Sequence, residues 1–242
     1  MSDIRKDYLK ITISFYLIWA AIFILEGLYA NTLATTDPSW LIDSHIPVLP
    51  HFVWFYVLCY IFPIVPIVVV QDWHRFNLAL LSFAMCTFVA FIGHLLLPVA
   101  FSKPQLGTSL SENFVQFIYQ NDFRPGAQNF PSLHVAFAWI MYLSCRRQGL
   151  KKIYEFLILF LALLIILSTV FIKQHLFIDL LGGTFLAIII WSAFTIIYKC
   201  HVHPDQDPRV ALLSVAKKIR PLFYICWVVL FLIVGYQAIC NW

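Results

Sequence analysis

The chain has 242 residues, 62% of them hydrophobic and only 12% charged, with a formal net charge of +4. No soluble domain of this size has that balance, and no basic, aromatic-interleaved soluble stretch is present to engage nucleic acid. The six cysteines (Cys59, Cys86, Cys145, Cys200, Cys226 and Cys240) lie in or at the ends of apolar segments, without paired or metal-ligand spacing. They read as small apolar residues rather than as a disulfide framework.

The apolar residues fall in blocks of about span length, which defines an all-α polytopic membrane protein with a single integral membrane domain over 1–242. In chain order, residues 1–10 are expected as a short cytoplasmic tail, followed by spans at 11–33, 51–70, 76–98, 131–145, 153–172, 176–198 and 221–240. Pro63 and Pro66 are expected to kink the second span, because each removes a backbone donor. The fourth span, from Pro131 to Cys145, is only ~22 Å long at helical rise, against a hydrocarbon core of about 30 Å. Its first turn, Pro131-Ser132-Leu133-His134, is therefore expected near headgroup depth.

Lysine and arginine set the orientation. Arg5, Lys6, Lys10, Arg75, Arg146, Arg147, Lys151, Lys152, Lys199, Arg209, Lys217, Lys218 and Arg220 fall on one side of these spans; Lys103, Arg124 and Lys173 fall on the other. Thirteen against three predicts that the second side faces away from the cytoplasm. The 99–130 loop on that side is too long for a simple connector. Within it Ser109-Leu110-Ser111-Glu112 reads as a capping box, with Phe114, Val115, Phe117 and Ile118 on one face of the helix that follows. This amphipathic helix either covers a site or merely fills the loop.

The chemistry concentrates in Ser168–Gly183. His175 and Asp179 are four apart and share a helical face, so the carboxylate can hold Nδ1–H and leave Nε2 free to attack or to accept a proton. Gly182 and Gly183 continue that face and leave it open, either to a ligand or to another backbone. On the same outer side, Ser132 and His134 open the fourth span, where a helix N-terminus suits a phosphate. Other polar groups have plainer readings. His94 and Glu26 are expected first as hydrogen-bonded interior residues, with function as the alternative. His201-Val202-His203-Pro204-Asp205 is expected as a solvated loop rather than a metal site.

PSLH at 131–134, followed by S-T-x4-Q-H-x3-D at 168–179, resembles the second and third signature motifs of the type 2 phosphatidic acid phosphatase family. It looks closest to the inositolphosphoryl-ceramide-synthase-like branch, in which a KQH-type third motif replaces the usual arginine. The resemblance covers roughly 90–190, the catalytic motif region. It implies a six-helix phosphatase core, to which 221–240 adds a seventh helix. It also implies a lipid phosphate substrate, no cofactor and no metal. By the same resemblance His175 is the nucleophile, Asp179 orients it, His134 is the general acid and base, and Ser132 binds phosphoryl oxygens.

Two departures matter. Thr169 stands where the family has arginine, so the charge is assigned to Lys173. The first motif is missing as a string. Lys103-Pro104 is preferred for its role by spacing, with Arg124-Pro125 as the second candidate. The expected function is lipid-phosphate hydrolysis at the outer face of a bacterial inner membrane, with transfer to an alcohol as the alternative.

Overall fold

A computed structural model describes residues 3–123 and 128–240. Its elements are α1 (Asp3–Ala30), α2 (Leu41–His45), α3 (Val53–Leu58), α4 (Val65–Val69), α5 (Trp73–Leu96), α6 (Leu110–Asn121), α7 (Leu133–Cys145), α8 (Lys152–Phe171), α9 (Phe177–His201) and α10 (Pro208–Cys240). Among the described residues, six helical stretches are long and apolar enough to cross a membrane: Ile4–Ala30, Pro50–Val69, Trp73–Leu96, Lys152–Phe171, Phe177–His201 and Pro208–Gln237. α7 is a shorter apolar helix. The protein is an all-helical integral membrane protein.

α5 is the central post. Most of it is buried, and α1, α7, α9 and α10 pack around it. α7 is in turn enclosed by α5, α8 and α9, and its 13 residues reach only ~20 Å. One end of the bundle is pinned by polar groups that have no water to turn to. Tyr8 of α1 donates to Asn77 of α5 at 2.6 Å, and Asn77 donates to the Tyr198 hydroxyl at 2.9 Å and to the Pro208 carbonyl at 2.6 Å.

The expected spans survive with three changes. Residues 3–10 are not a tail, because α1 already begins at Asp3 and Tyr8 is fully buried, stacked on Trp73. The second span is more than kinked. It is broken into a 3-10 turn at Pro50–Phe52, α3, a second 3-10 turn at Phe62–Ile64, and α4, with Pro63 and Pro66 at the start of the last two pieces. Proline is tolerated in a first helical turn, whose donors lack partners in any case. At the C-terminus one helix runs straight through Pro221, so the apolar 221–240 segment is continuous with the basic stretch before it.

Candidate active site

The first motif to place is the turn between α8 and α9. α8 ends at Phe171 with Ile172 as its C-cap, and Lys173 reverses the chain in the left-handed region at φ 51. A non-glycine residue there costs about 1–2 kcal/mol. The Lys173 ammonium offsets that cost by donating to the carbonyls of Asp43 and Ile46, each at 2.7 Å. The N–H groups of Gln174 and His175 both return to the Thr169 carbonyl, at 2.9 and 3.0 Å, which closes the turn. Lys103 braces it from outside. Its ammonium lies 2.7 Å from the Lys173 carbonyl, 3.3 Å from the Gln174 carbonyl and 3.0 Å from Gln174 Oε1.

α9 then starts at Phe177 under two carboxylates. Asp179 Oδ2 accepts from the Leu176 N–H at 2.8 Å, and Asp43 Oδ1 accepts from the Phe177 N–H at 2.7 Å. These N–H groups at the start of α9 are therefore already engaged. Asp179 is completely buried, and its Oδ2 also lies 3.4 Å from His175 Nδ1.

The second motif reaches His175 through the start of α7. Ser132 is the N-cap, its Oγ accepting from the Val135 N–H at 3.4 Å. Its own N–H donates to the Asp179 carbonyl at 3.3 Å, so the two motifs are joined by main chain. Ser132 Oγ lies 3.1 Å from His175 Nε2, and His134 Nδ1 lies 3.2 Å from the same nitrogen. The ring of His134 is stacked on Tyr56, centroids 4.6 Å apart.

Three glycines permit this approach. A Cβ on Gly183 would meet the Ser132 carbonyl at 2.4 Å, one on Gly182 the Phe130 ring at 2.6 Å, and one on Gly93 the Phe130 carbonyl at 2.7 Å. The open face of α9 thus admits another backbone, the turn into α7. Behind that turn, His94 Nε2 lies 3.4 Å from the Pro131 carbonyl and His94 Nδ1 lies 3.4 Å from Glu26.

A cavity of about 260 Å³ opens onto the two histidines, roofed by Phe117, Ile118 and Asn121 of α6. α6 is held down by Val115 and Tyr119, which pack with Val53, Tyr56 and Ile172. Its capping box forms as expected, with Ser109 N–H on Glu112 and Glu112 N–H on Ser109.

Four of the seven residues singled out from sequence meet at one point: His175, His134, Asp179 and Ser132. Lys103 and Lys173 flank the turn, but both ammoniums are occupied by main-chain carbonyls. Arg124 lies outside the described residues. Burial lowers the Lys103 pKa to about 8, against the opposing pull of Asp122 and Asp179. Burial likewise lowers Lys173, opposed by Asp43.

Sequence reasoning missed Asp43, Tyr56 and Asp122. Asp122 is open to the cavity that holds His134 and His175, yet burial raises its pKa, with Lys103 and His175 pulling it back. The signal for it was its place in Asn121-Asp122-Phe123-Arg124, directly after the amphipathic helix. Asp43 caps its own short helix by accepting from the Trp40 N–H at 2.8 Å, but its partners at the catalytic turn, Lys173 and Phe177, lie far along the chain.

Fold and site together describe a polytopic helical membrane protein in which two short-range motifs assemble a Ser-His-His-Asp cluster, with Ser132, His175 and Asp179 buried and His134 facing the cavity. Residues 36–193, more than half of the chain, match the family model of the PAP2 superfamily, and the protein belongs to that superfamily. Its class of chemistry is phosphatase or phosphotransferase action on phosphoric esters. No curated protein and no solved structure is significantly similar to the chain.

Proposed function

We propose that the protein is a lipid-phosphate phosphatase that carries the phosphoryl group on His175, at the extracytoplasmic face of its membrane. The observation that carries this reading is the environment of His175, with Ser132 Oγ and His134 Nδ1 at Nε2 and a buried aspartate at Nδ1. Asp179 favours a proton on Nδ1, which leaves Nε2 with its lone pair. His134 Nδ1–H then points at Nε2, so the nitrogen facing the nucleophile is also the one poised to deliver a proton.

The two imidazoles touch each other without substrate, and an arriving phosphoryl group takes the place of that contact. His175 Nε2 forms a bond to phosphorus as the bond to the lipid oxygen breaks, and His134 protonates the leaving alkoxide. Water next attacks the phosphohistidine, His134 accepts its proton, and inorganic phosphate leaves. Splitting the displacement in this way lowers each barrier, and a positioned histidine acid contributes roughly 10²–10⁴-fold. Ser132 and the N-terminus of α7 favour the charge on the phosphoryl oxygens. The thirteen-to-three distribution of Lys and Arg supports an outward-facing site.

A second reading is transfer to an alcohol in place of water. It is favoured by Lys173-Gln174-His175 and by the carboxamides of Asn121, Gln128 and Asn129 around the cavity, which suit hydroxyl groups. The test is phosphate release from a panel of lipid phosphomonoesters and pyrophosphates in EDTA, with wild type beside His175→Ala. Release by wild type alone supports the phosphatase reading. Release that survives His175→Ala overturns the nucleophile, and turnover only when an alcohol is added moves the transferase reading to first place.

A further inference from the structure

Two ionisable side chains lie behind the Pro131–His134 turn and take no part in the chemistry above. Glu26 of α1 is 8% exposed and His94 of α5 is 1% exposed. An ionisable residue at membrane depth is costly to bury, and a buried pair gives little stability over apolar side chains of the same volume. Fold stability alone therefore does not account for them. Glu26 also lies outside the 36–193 family match.

Their surroundings fix where a proton must be. His94 Nε2 faces the Pro131 carbonyl at 3.4 Å, and a carbonyl can only accept, so Nε2 carries the hydrogen. On the other side of the ring Nδ1 stands 3.4 Å from Glu26 Oε1, and neither atom has another partner among the described residues. Gln128 occupies the second Glu26 oxygen, its Nε2 donating to Oε2 and to the Phe23 carbonyl. A neutral ring with its one hydrogen turned to a carboxylate would aim a lone pair at the Pro131 carbonyl. The pair thus holds one further proton, either as imidazolium beside carboxylate or with Glu26 protonated and donating to Nδ1. Both forms keep Nε2–H on the carbonyl.

That carbonyl shares a peptide unit with the Ser132 N–H, which donates to the Asp179 carbonyl at 3.3 Å. One chain of polar contacts therefore runs from Glu26 through His94 and the 131–132 peptide to α9, and the links of such a chain strengthen one another. Asn129 ties the turn to the same side a second time, its Nδ2 donating to the Gln174 carbonyl at 3.1 Å. On the α5 side Gly93 lets the Phe130 carbonyl come close, and His94 holds the next carbonyl along.

Resting on the phosphohistidine reading of the site, we infer that Glu26 and His94 are positioning residues. Glu26 keeps the hydrogen of His94 directed at the Pro131 carbonyl, and that bond sets the register of Ser132 and His134 against His175. Neither side chain touches the reacting atoms.

The experiment measures phosphate release from dodecyl phosphate by wild type, by Glu26→Gln and by the double variant Glu26→Leu/His94→Leu. In Glu26→Gln the carboxamide donates to Nδ1 and leaves Nε2–H on the carbonyl. Turnover is expected to stay within about tenfold of wild type, a neutral hydrogen bond having roughly half the strength of a charged one. The double variant removes the pair without stranding a charge, and its melting temperature is expected to remain within a few degrees of wild type. Its turnover is expected to fall roughly 10²-fold, the cost of misplacing catalytic groups by about 1 Å. A folded double variant with wild-type turnover would mean a purely structural pair and overturns the inference. So does a loss in Glu26→Gln as large as that of the double variant.

A second measurement reads the proton itself. In protein carrying isotope-labelled histidine, the ring signals in nitrogen NMR that move in Glu26→Gln are those of His94. A hydrogen on Nε2 in wild type supports the inference, and a bare Nε2 overturns it, whether or not the leucine variant folds. If wild type releases no phosphate from dodecyl phosphate, the phosphatase reading fails while the ring signals still decide the role of the pair.

Discussion

Asp179 does two jobs with one oxygen. Oδ2 takes the Leu176 N–H and also lies beside His175 Nδ1, so helix capping and nucleophile orientation are coupled. The two separate by substitution. Asp179→Asn keeps an acceptor for the cap but loses the charge that holds the His175 proton. It is expected to retain the wild-type melting temperature within a few degrees while turnover falls ~10²–10⁴-fold. Asp179→Ala removes the cap as well, costing about 0.5–2 kcal/mol of stability besides. Thermal unfolding and phosphate release on the same preparations check both.

Lys103 makes a different prediction, from pH. Its folded pKa is about 8 against 10.5 in the unfolded chain, because burial disfavours the ammonium. Below about pH 8 the lysine is charged in both states and the cost of burying that charge is fully present; as pH rises from about 8 towards 10.5 the cost fades. The brace on the turn meanwhile loses one of its three donors. Activity is expected to decline above pH about 8 through loosening of the His175 turn, although this group alone makes the fold more stable there. In Lys103→Arg the guanidinium stays charged and that limb disappears. A pH–rate profile of both proteins checks it.

At this scale the sequence was legible where residues are close in the chain: His175 with Asp179 one turn on, and Ser132 and His134 at the opening of one helix. It was not legible for the lysines. Their charge on the outer face suggested phosphate binding, and the carbonyls that hold them lie in a distant loop or on a turn that exists only after folding.

Among the elements, the wedge of α7 between α5 and α9 decides whether a site exists at all. Gly183 is where α9 lets the Ser132 carbonyl pass, and no side chain fits there. Gly183→Ala is expected to push α7 outward, cost about 1–3 kcal/mol by overpacking, and break the Ser132–Asp179 main-chain bond. Phosphate release should then fall further than the loss of folded protein explains. Gly235→Ala, where an added Cβ meets nothing within 4 Å, is the control and should change neither. Circular dichroism melts beside turnover measure the difference. α6 illustrates what periodicity leaves open. Its capping box and apolar face were readable, but that it roofs the histidines depends on Val115 and Tyr119 finding the pocket made by α3 and the α8–α9 turn.

For the whole molecule, the ends of the helices sort the histidine pair and Lys103 to one end and the Tyr8–Asn77–Tyr198 tie to the other. The Lys and Arg distribution predicts which end faces out. Gln105→Cys and Asp205→Cys, both at exposed positions and made in a Cys200→Ser background, report on the two ends. A membrane-impermeant maleimide is expected to label Gln105→Cys in intact cells and Asp205→Cys only after permeabilisation. The reverse pattern would put the histidines on the cytoplasmic side and remove the outer-leaflet part of the proposal.

What the sequence determined by itself is whatever short-range physics controls. Apolar blocks of span length make a polytopic helical protein, and a histidine and an aspartate one turn apart make an oriented imidazole. Proline disturbs the second span, and Gly182 and Gly183 mark a face open to close approach. What only the tertiary structure decided is which surfaces meet. The Gly182–Gly183 face receives the turn into α7 rather than a ligand, and the two conspicuous lysines hold carbonyls. These outcomes depend on contacts between residues far apart in the chain, whose loop-closure cost is met only when the whole bundle assembles.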